Sequence, residues 1–280
     1  MLLKKKERQT TKLHYKNEVP YISYESLSQY PQIAHLFTTR FGGVSQGVYH
    51  SLNLRQTTED SVLNVADNYK IVANLFDVEA EDMVISDQTH TTNILRVDFT
   101  HKGMGLTKKR NFHDVDGLIT NEKGLLLATV YADCVPLYFF DPVKKAIGLS
   151  HSGWKGTLHK MGAITIKEMV KEFGCDPSHM IVAIGPSICQ ECYEVGDEVY
   201  DAFLKVWKDE TDRFFTKGEK DKYHLDLWKV NEYILREAGI KKENIIVPDI
   251  CTCCNFEVMF SHRAHGNQRG NLGAFLMLTN

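Results

Sequence analysis

Between Leu125 and His151 three strand-sized apolar runs follow one another almost without a break, and this stretch restricts the possible folds more than any other. Leu125 to Tyr131, Leu137 to Asp141 and Ala146 to His151 are short enough for strands and too short for buried helices. The link Pro142-Val143-Lys144-Lys145 is a short polar turn, so the last two runs read as an antiparallel hairpin and not as a crossover. Similar runs lie at Ile33 to Thr39, Met83 to Ser86, Ile94 to Asp98, Met180 to Gly185, Ile245 to Asp249 and Leu272 to Leu278. Helical periodicity separates them. Val62, Val65, Ala66, Tyr69, Val72, Leu75 and Phe76 trace one face behind a cap at Asp60, and a second helix runs from about Leu158 to Phe173 and stops at Gly174. Val195 to Trp207 and Leu227 to Ala238 complete the set, the latter capped by Asp226 and ended by Gly239. Strands and helices mixed in this way, with no Pro-, Gly- or Ser-rich linker, predict an α+β fold: a single domain with mixed central β-sheets flanked by helices. Residues 1–17 read as a polar N-terminal tail, 18–280 as the catalytic domain, and 99–114 and 209–222 as surface loops.

The chain has 280 residues, 43% of them hydrophobic and 25% charged, which is enough apolar material for a self-sufficient core and excludes a disordered body. With 33 Lys and Arg against 36 Asp and Glu there is no overall positive field, so no nucleic-acid partner is expected. No run approaches the roughly 20 apolar residues of a membrane span. The opening MLLKKKERQ lacks the apolar segment and cleavage site of a secretory signal. Seven cysteines, an odd number, favour thiol or metal chemistry over a disulfide framework. A soluble, cytoplasmic protein is the expectation, with no membrane partner and with its oligomeric state unspecified.

Three segments place a borderline metal ligand at the end of an apolar run: His90, Cys134 and His151. Two imidazoles and one thiolate leave the fourth position of a tetrahedral zinc open. Their separations match no local ligand pattern, and a buried thiol or a satisfied core imidazole is the commoner explanation. The loop Thr39 to Gly47 combines Arg40 with Gly42, Gly43 and Ser45, a composition suited to cradling an oxyanion and equally to a plain tight turn. Gly43-Val44-Ser45-Gln46-Gly47 has the form G-x-S-x-G, but no helical stripe follows it, so an esterase elbow is rejected. Cys189 and Cys192, with Cys251, Cys253 and Cys254, could share a structural zinc if the fold joins them, and small buried thiols are the plainer explanation. The deaminase pattern H-x-E with P-C-x-x-C and the protease pattern H-E-x-x-H are both absent. No His-x-His pair occurs, which argues against a multicopper centre while leaving a single His/Cys/His copper site open.

The segments TTRFGGVSQGVYHSLNL (38–54), DQTH (87–90), ATVYADCVPLYFFDP (128–142), GLSHSGWKGT (148–157), AIGPSICQECYEVG (183–196) and FSHRAHGNQRG (260–270) together resemble the bacterial YfiH/YlmD family over residues 33–278. The resemblance implies a mixed α/β fold and a zinc-containing purine nucleoside phosphorylase. Its substrates would be adenosine, inosine, guanosine or methylthioadenosine with inorganic phosphate, and adenosine deamination would be a secondary activity. It also implies that His90, Cys134 and His151 are the metal ligands. Within that frame Arg40, Gly42, Gly43 and Ser45 are expected to hold phosphate. Asp133, beside Cys134, is the expected proton shuttle or, equally, a backbone-bonding residue. Arg40, Asp133, Cys134 and His151 then form the expected catalytic set. Two other readings stay open. The older label of laccase-like polyphenol oxidase would put copper at the same ligands, and a cysteine hydrolase would use Cys134 and His151 as nucleophile and base. A module that binds metal or nucleoside without turnover is the non-enzymatic alternative.

Overall fold

Strands with two apolar faces must be covered on both sides, and this decides the layering. In β8 (Val135–Asp141), Leu137 and Phe139 enter one core while Tyr138 and Phe140 enter another. In β15 (Leu272–Leu278), Ala274 and Leu276 share that second core, whereas Phe275 and Met277 enter a third. The computed structural model, which describes residues 3–6, 9–56 and 59–279, therefore stacks two six-stranded sheets face to face with helices on their outer surfaces.

The first sheet runs β1 (Thr11–Lys16), β2 (Val19–Tyr24), β3 (Ile33–Thr38), β15, β7 (Leu126–Tyr131) and β4 (Met83–Ile85), antiparallel except for the β4/β7 pair. The second runs β14 (Ile245–Ile246), β10 (Ile181–Ile184), β8, β9 (Ala146–Ser152), β6 (Gly117–Thr120) and β5 (Ile94–Arg96), with parallel pairs at both edges. A small third sheet joins β11 (Glu194–Gly196), β13 (Lys222–Leu225) and β12 (Phe215–Lys217). α1 (Glu25–Ser28) follows β2 directly and is a single turn, and α2 (Val62–Leu75) covers the outer face of the first sheet through Val65, Tyr69 and Val72. The second sheet is covered by α4 (Met161–Phe173), α5 (Asp197–Trp207) and α6 (Leu227–Glu237). Among the described residues no helix is long and apolar enough to cross a membrane.

The mixed-sheet α+β reading and the β8/β9 hairpin are as expected, with Asp141 facing Ala146 across the turn. Asp226 caps α6 by accepting the Lys229 N–H at 3.0 Å. Other expectations are corrected. The helix expected from Leu158 is broken at Lys160, whose left-handed backbone (φ 61°) separates α3 (Trp154–Leu158) from α4. The stretch expected as a polar tail contains β1, whose ladder with β2 holds it from Thr11 to Lys16; residues 1, 2, 7 and 8 lie outside the described residues. An edge strand carries polar residues on its open side, which is why it reads as tail. The loop expected at 209–222 holds β12, paired to β13.

His35 lies buried in β3, and its Nε2 accepts the Tyr24 N–H at 2.9 Å. Burial pushes its pKa down from 6.5 to about 4. Below pH 6.5 the unfolded chain takes up a proton that the folded imidazole refuses, so this site's stability is whole above 6.5 and is lost as the pH falls toward 4. The loss amounts to about 3 kcal/mol. His35→Gln keeps an acceptor without titrating. Urea unfolding at pH 7 and pH 4 is expected to show a smaller acid loss in the variant by about that amount; equal losses would contradict it.

Candidate metal centre and its cavity

The three expected ligands meet where the chain crosses from one large sheet to the other. Cys134 lies in the short connection from β7 to β8, His90 in the turn between β4 and β5, and His151 near the end of β9, paired with Pro136 of β8. Their ligand atoms all lie within 4.8 Å of one another, and the two imidazole rings stand 4.9 Å apart at 70°.

Asp116, immediately before β6, organises this arrangement. Its buried carboxylate accepts the backbone N–H groups of Thr89 at 3.0 Å, His90 at 3.1 Å and Thr91 at 2.9 Å, and it also accepts the His151 Nδ1–H at 2.8 Å. The three N–H bonds hold His90 in a left-handed conformation (φ 65°), a strained state for a non-glycine residue and one that aims its imidazole at Cys134 and His151. The bond to Nδ1 fixes the His151 tautomer and leaves Nε2 as the free ligand atom, the carboxylate–histidine relay typical of metal sites. Burial pushes the Asp116 pKa up, but its hydrogen bonds and the charge of His151 outweigh that and hold it below the usual carboxylate value. Burial likewise depresses His151, and the opposing pull of the Cys134 thiolate and of Asp116 raises its pKa to about 9.

The residues present fit a metal ion. A Cβ on Gly153 would lie 2.9 Å from His90 Nδ1 and 3.2 Å from Cys134 Sγ, so only glycine leaves room for both donors. Two nitrogens and one sulfur are the donor set of a three-ligand zinc site with an open position. Gly153→Ala is expected to lower metal affinity by about 10- to 100-fold, the range seen when supporting groups are lost. Titration of metal-free protein with zinc checks this, and an unchanged affinity would show that the packing of Gly153 is not needed.

A cavity of about 630 Å³ opens beside these ligands, lined also by Arg55, Arg110, Arg263, Arg269 and Tyr193. Arg269 is the notable member. Its Nε is buried with no hydrogen-bond partner among the described residues, although Nη1 donates to Asn271 Oδ1 at 2.6 Å. Burial and the neighbouring positive charge of Arg55 lower its pKa, while Asp133 and Cys134 are near enough to oppose them. A buried guanidinium N–H with no acceptor, close to the charge of a second arginine, marks positive charge at this wall that an anion would offset.

Asp133 also lines the cavity, but its carboxylate is occupied. Oδ1 accepts the Thr252 hydroxyl at 2.6 Å, and Oδ2 accepts the Ser261 hydroxyl at 3.0 Å and the Arg263 N–H at 2.7 Å. It ties the loop bearing Cys134 to the segments at 252 and 261–263. The structure thus brings His90, Asp133, Cys134 and His151 together, while Arg40, Gly42, Gly43 and Ser45 stand outside the cavity lining. Arg40 packs over Phe260 and donates Nε–H to the His50 carbonyl at 2.8 Å. The turn spends its own donors: Gly43 N–H on Ser51 Oγ at 3.2 Å, Ser45 Oγ on Asp60 at 2.6 Å. Sequence reasoning missed Asp116 and Arg269; only the paired placement of Asp116 before a strand, and of Arg269 within the quoted 260–270 segment, offered a signal.

Known proteins resemble this chain along most of its length. The purine nucleoside phosphorylase YlmD of Bacillus subtilis is 36% identical over 244 residues, covering 86% of each chain. Adenosine deaminase RL5, from an unknown prokaryotic organism, is 31% identical over 236 residues, 84% of this chain and 90% of that protein. The crystal structure of the hypothetical protein YfiH of Bacillus licheniformis superposes with a TM-score of 0.88 at 32% identity, covering 95% of this chain and 99% of that one. These findings bear out the resemblance to YfiH and YlmD. With residues 34–279 matching its family model, the chain belongs to the enzyme family described as multi-copper polyphenol oxidoreductase laccase.

Proposed function

We propose that the protein is a zinc-dependent purine nucleoside phosphorylase that also deaminates adenosine. One observation carries this reading: a three-ligand metal set shares one cavity with Arg269, whose Nε has no hydrogen-bond partner among the described residues. His90, Cys134 and His151 would hold the zinc, which would supply Lewis-acid chemistry when bound. The remaining work belongs to the chain. Cleaving the glycosidic bond by phosphate builds positive charge on the ribose and negative charge on the departing purine. Arg269, with Arg55 beside it, supplies positive charge to the cavity wall, binds the phosphate anion and holds it for attack at the ribose carbon. This replaces the Arg40 turn as the phosphate site. Asp133 positions the Cys134 loop, Ser261 and Arg263 through the three bonds it accepts. Asp116 orients His90 and His151.

Zinc is favoured over copper by the ligand group. Two imidazoles and one thiolate with an open fourth position are the donor set of a catalytic zinc, and no further His of the kind a multicopper centre needs stands with His90, Cys134 and His151 in their ligand group among the described residues. Deamination is supported by the metal set and by the name of the relative RL5. Incubation of inosine with the protein is expected to give hypoxanthine and ribose 1-phosphate only when inorganic phosphate is present. Free ribose in its place, or turnover indifferent to phosphate, would overturn the phosphorylase reading.

A further inference from the structure

We propose a second metal site, a closed tetrathiolate zinc centre made by Cys189, Cys192, Cys251 and Cys254. The four sulfurs lie within 4.8 Å of one another, although the two pairs come from segments far apart in the chain. Cys189 Sγ stands 3.9 Å and Cys192 Sγ 3.5 Å from Cys254 Sγ. Zinc bound at about 2.3 Å to four sulfurs in a tetrahedron sets neighbouring sulfurs about 3.8 Å apart, so the thiols already stand near ligand spacing. A disulfide requires about 2.05 Å, far shorter than any of these separations.

The chain supports thiolates here in other ways. Both pairs have Cys-x-x-Cys spacing, the arrangement in which one turn presents two sulfurs to a single ion. Cys251 Sγ accepts the N–H of Cys189 at 3.2 Å and that of Cys254 at 3.4 Å, which places donor dipoles where a thiolate would carry charge. Four thiolates around zinc leave a net charge of minus two. The Lys6 ammonium lies within electrostatic reach of Cys189 and Cys254 and is 3.1 Å from the Glu191 carboxylate. Cys189 and Cys251 are buried and Cys192 and Cys254 half-buried, and four sulfurs would complete a tetrahedral ion's coordination. The fifth cysteine of the region, Cys253, stands outside the group.

Zinc entering this site takes the place of one proton on each thiol, which passes to the buffer, and no electrons move. The ion would clamp the 189–192 turn to the 251–254 turn. That turn lies between Ile188 and Tyr193, both in the cavity wall, and Arg263 holds it further through the Cys192 carbonyl at 3.2 Å. The site is therefore structural, separate from the three-ligand centre, and shapes the wall of the same cavity.

Metal analysis of full-length protein purified with zinc in the medium tests it. The intact chain is expected to carry two zinc ions, Cys134→Ala one, and Cys192→Ser/Cys254→Ser one with a lowered Tm. Unchanged zinc in the double variant, or no zinc in Cys134→Ala, would overturn the proposal, as would iron at the site or a mass showing a disulfide. If the double variant does not fold, cobalt-loaded Cys134→Ala serves instead. Its only remaining thiolate-rich site is expected to give the strong sulfur-to-cobalt charge-transfer absorption of four thiolates, and the absence of that absorption would overturn the proposal equally.

Discussion

Replacing His90, Cys134 or His151 singly by Ala is expected to remove one zinc per chain and to reduce phosphorolysis and deamination together by more than about 100-fold, beyond the cost of losing a mere supporting group. The three variants should behave alike because a tetrahedral zinc with one open position cannot be held by two remaining donors. The fold should survive. Its three apolar cores are built from residues of both large sheets and the covering helices, none of which needs the ion. Metal content, circular dichroism and both activities measured on the same preparations check this. A cysteine hydrolase would behave differently: Cys134→Ser would end turnover while the metal content stayed as in the unaltered protein. Full zinc and full activity in Cys134→Ala would leave Cys134 as a core thiol.

Arg269→Met is the second large effect. The substitution keeps most of the side-chain volume and removes the guanidinium whose Nε is buried without a partner. A hydrogen bond to a charged group contributes about 1.5–3 kcal/mol, so kcat/KM for phosphate should fall by about 10- to 100-fold for each bond lost. Deamination consumes water instead of phosphate and should fall far less. Steady-state kinetics with phosphate as the varied substrate, beside inosine formation from adenosine without phosphate, separate the two. An equal loss of both activities would assign Arg269 to holding the cavity and not the anion. Arg40→Met, in contrast, is expected to leave the phosphate KM within a few fold, since that guanidinium is engaged by His50 and Phe260.

What could be read without coordinates followed from burial on two faces. β7, β8, β9 and β15 are mostly apolar because each lies between two cores, and such runs are visible in any sequence. Strands β1 and β12 escaped because they lie at sheet edges and carry lysines and threonines there. Lys160 broke an otherwise continuous periodicity by adopting a left-handed conformation that no side-chain pattern announces. The three metal ligands came from the family resemblance, since spacing alone left them undecided. Asp116 was hidden for a different reason. Its role depends on collecting N–H groups from a turn far away in sequence, and one aspartate before a short strand looks like any loop residue. Arg40 shows the converse, because an arginine in a glycine-rich turn has the composition of an anion site while the folded loop uses its donors internally.

The most direct measurement of the central claim is ribose 1-phosphate formation from inosine by protein stripped of metal with a chelator and then reloaded with zinc or with copper. Activity is expected to vanish on stripping and to return with zinc alone, in phosphate buffer and without consumption of dioxygen. Recovery with copper accompanied by dioxygen uptake and phenol oxidation, or undiminished phosphorolysis by the stripped protein, would contradict it.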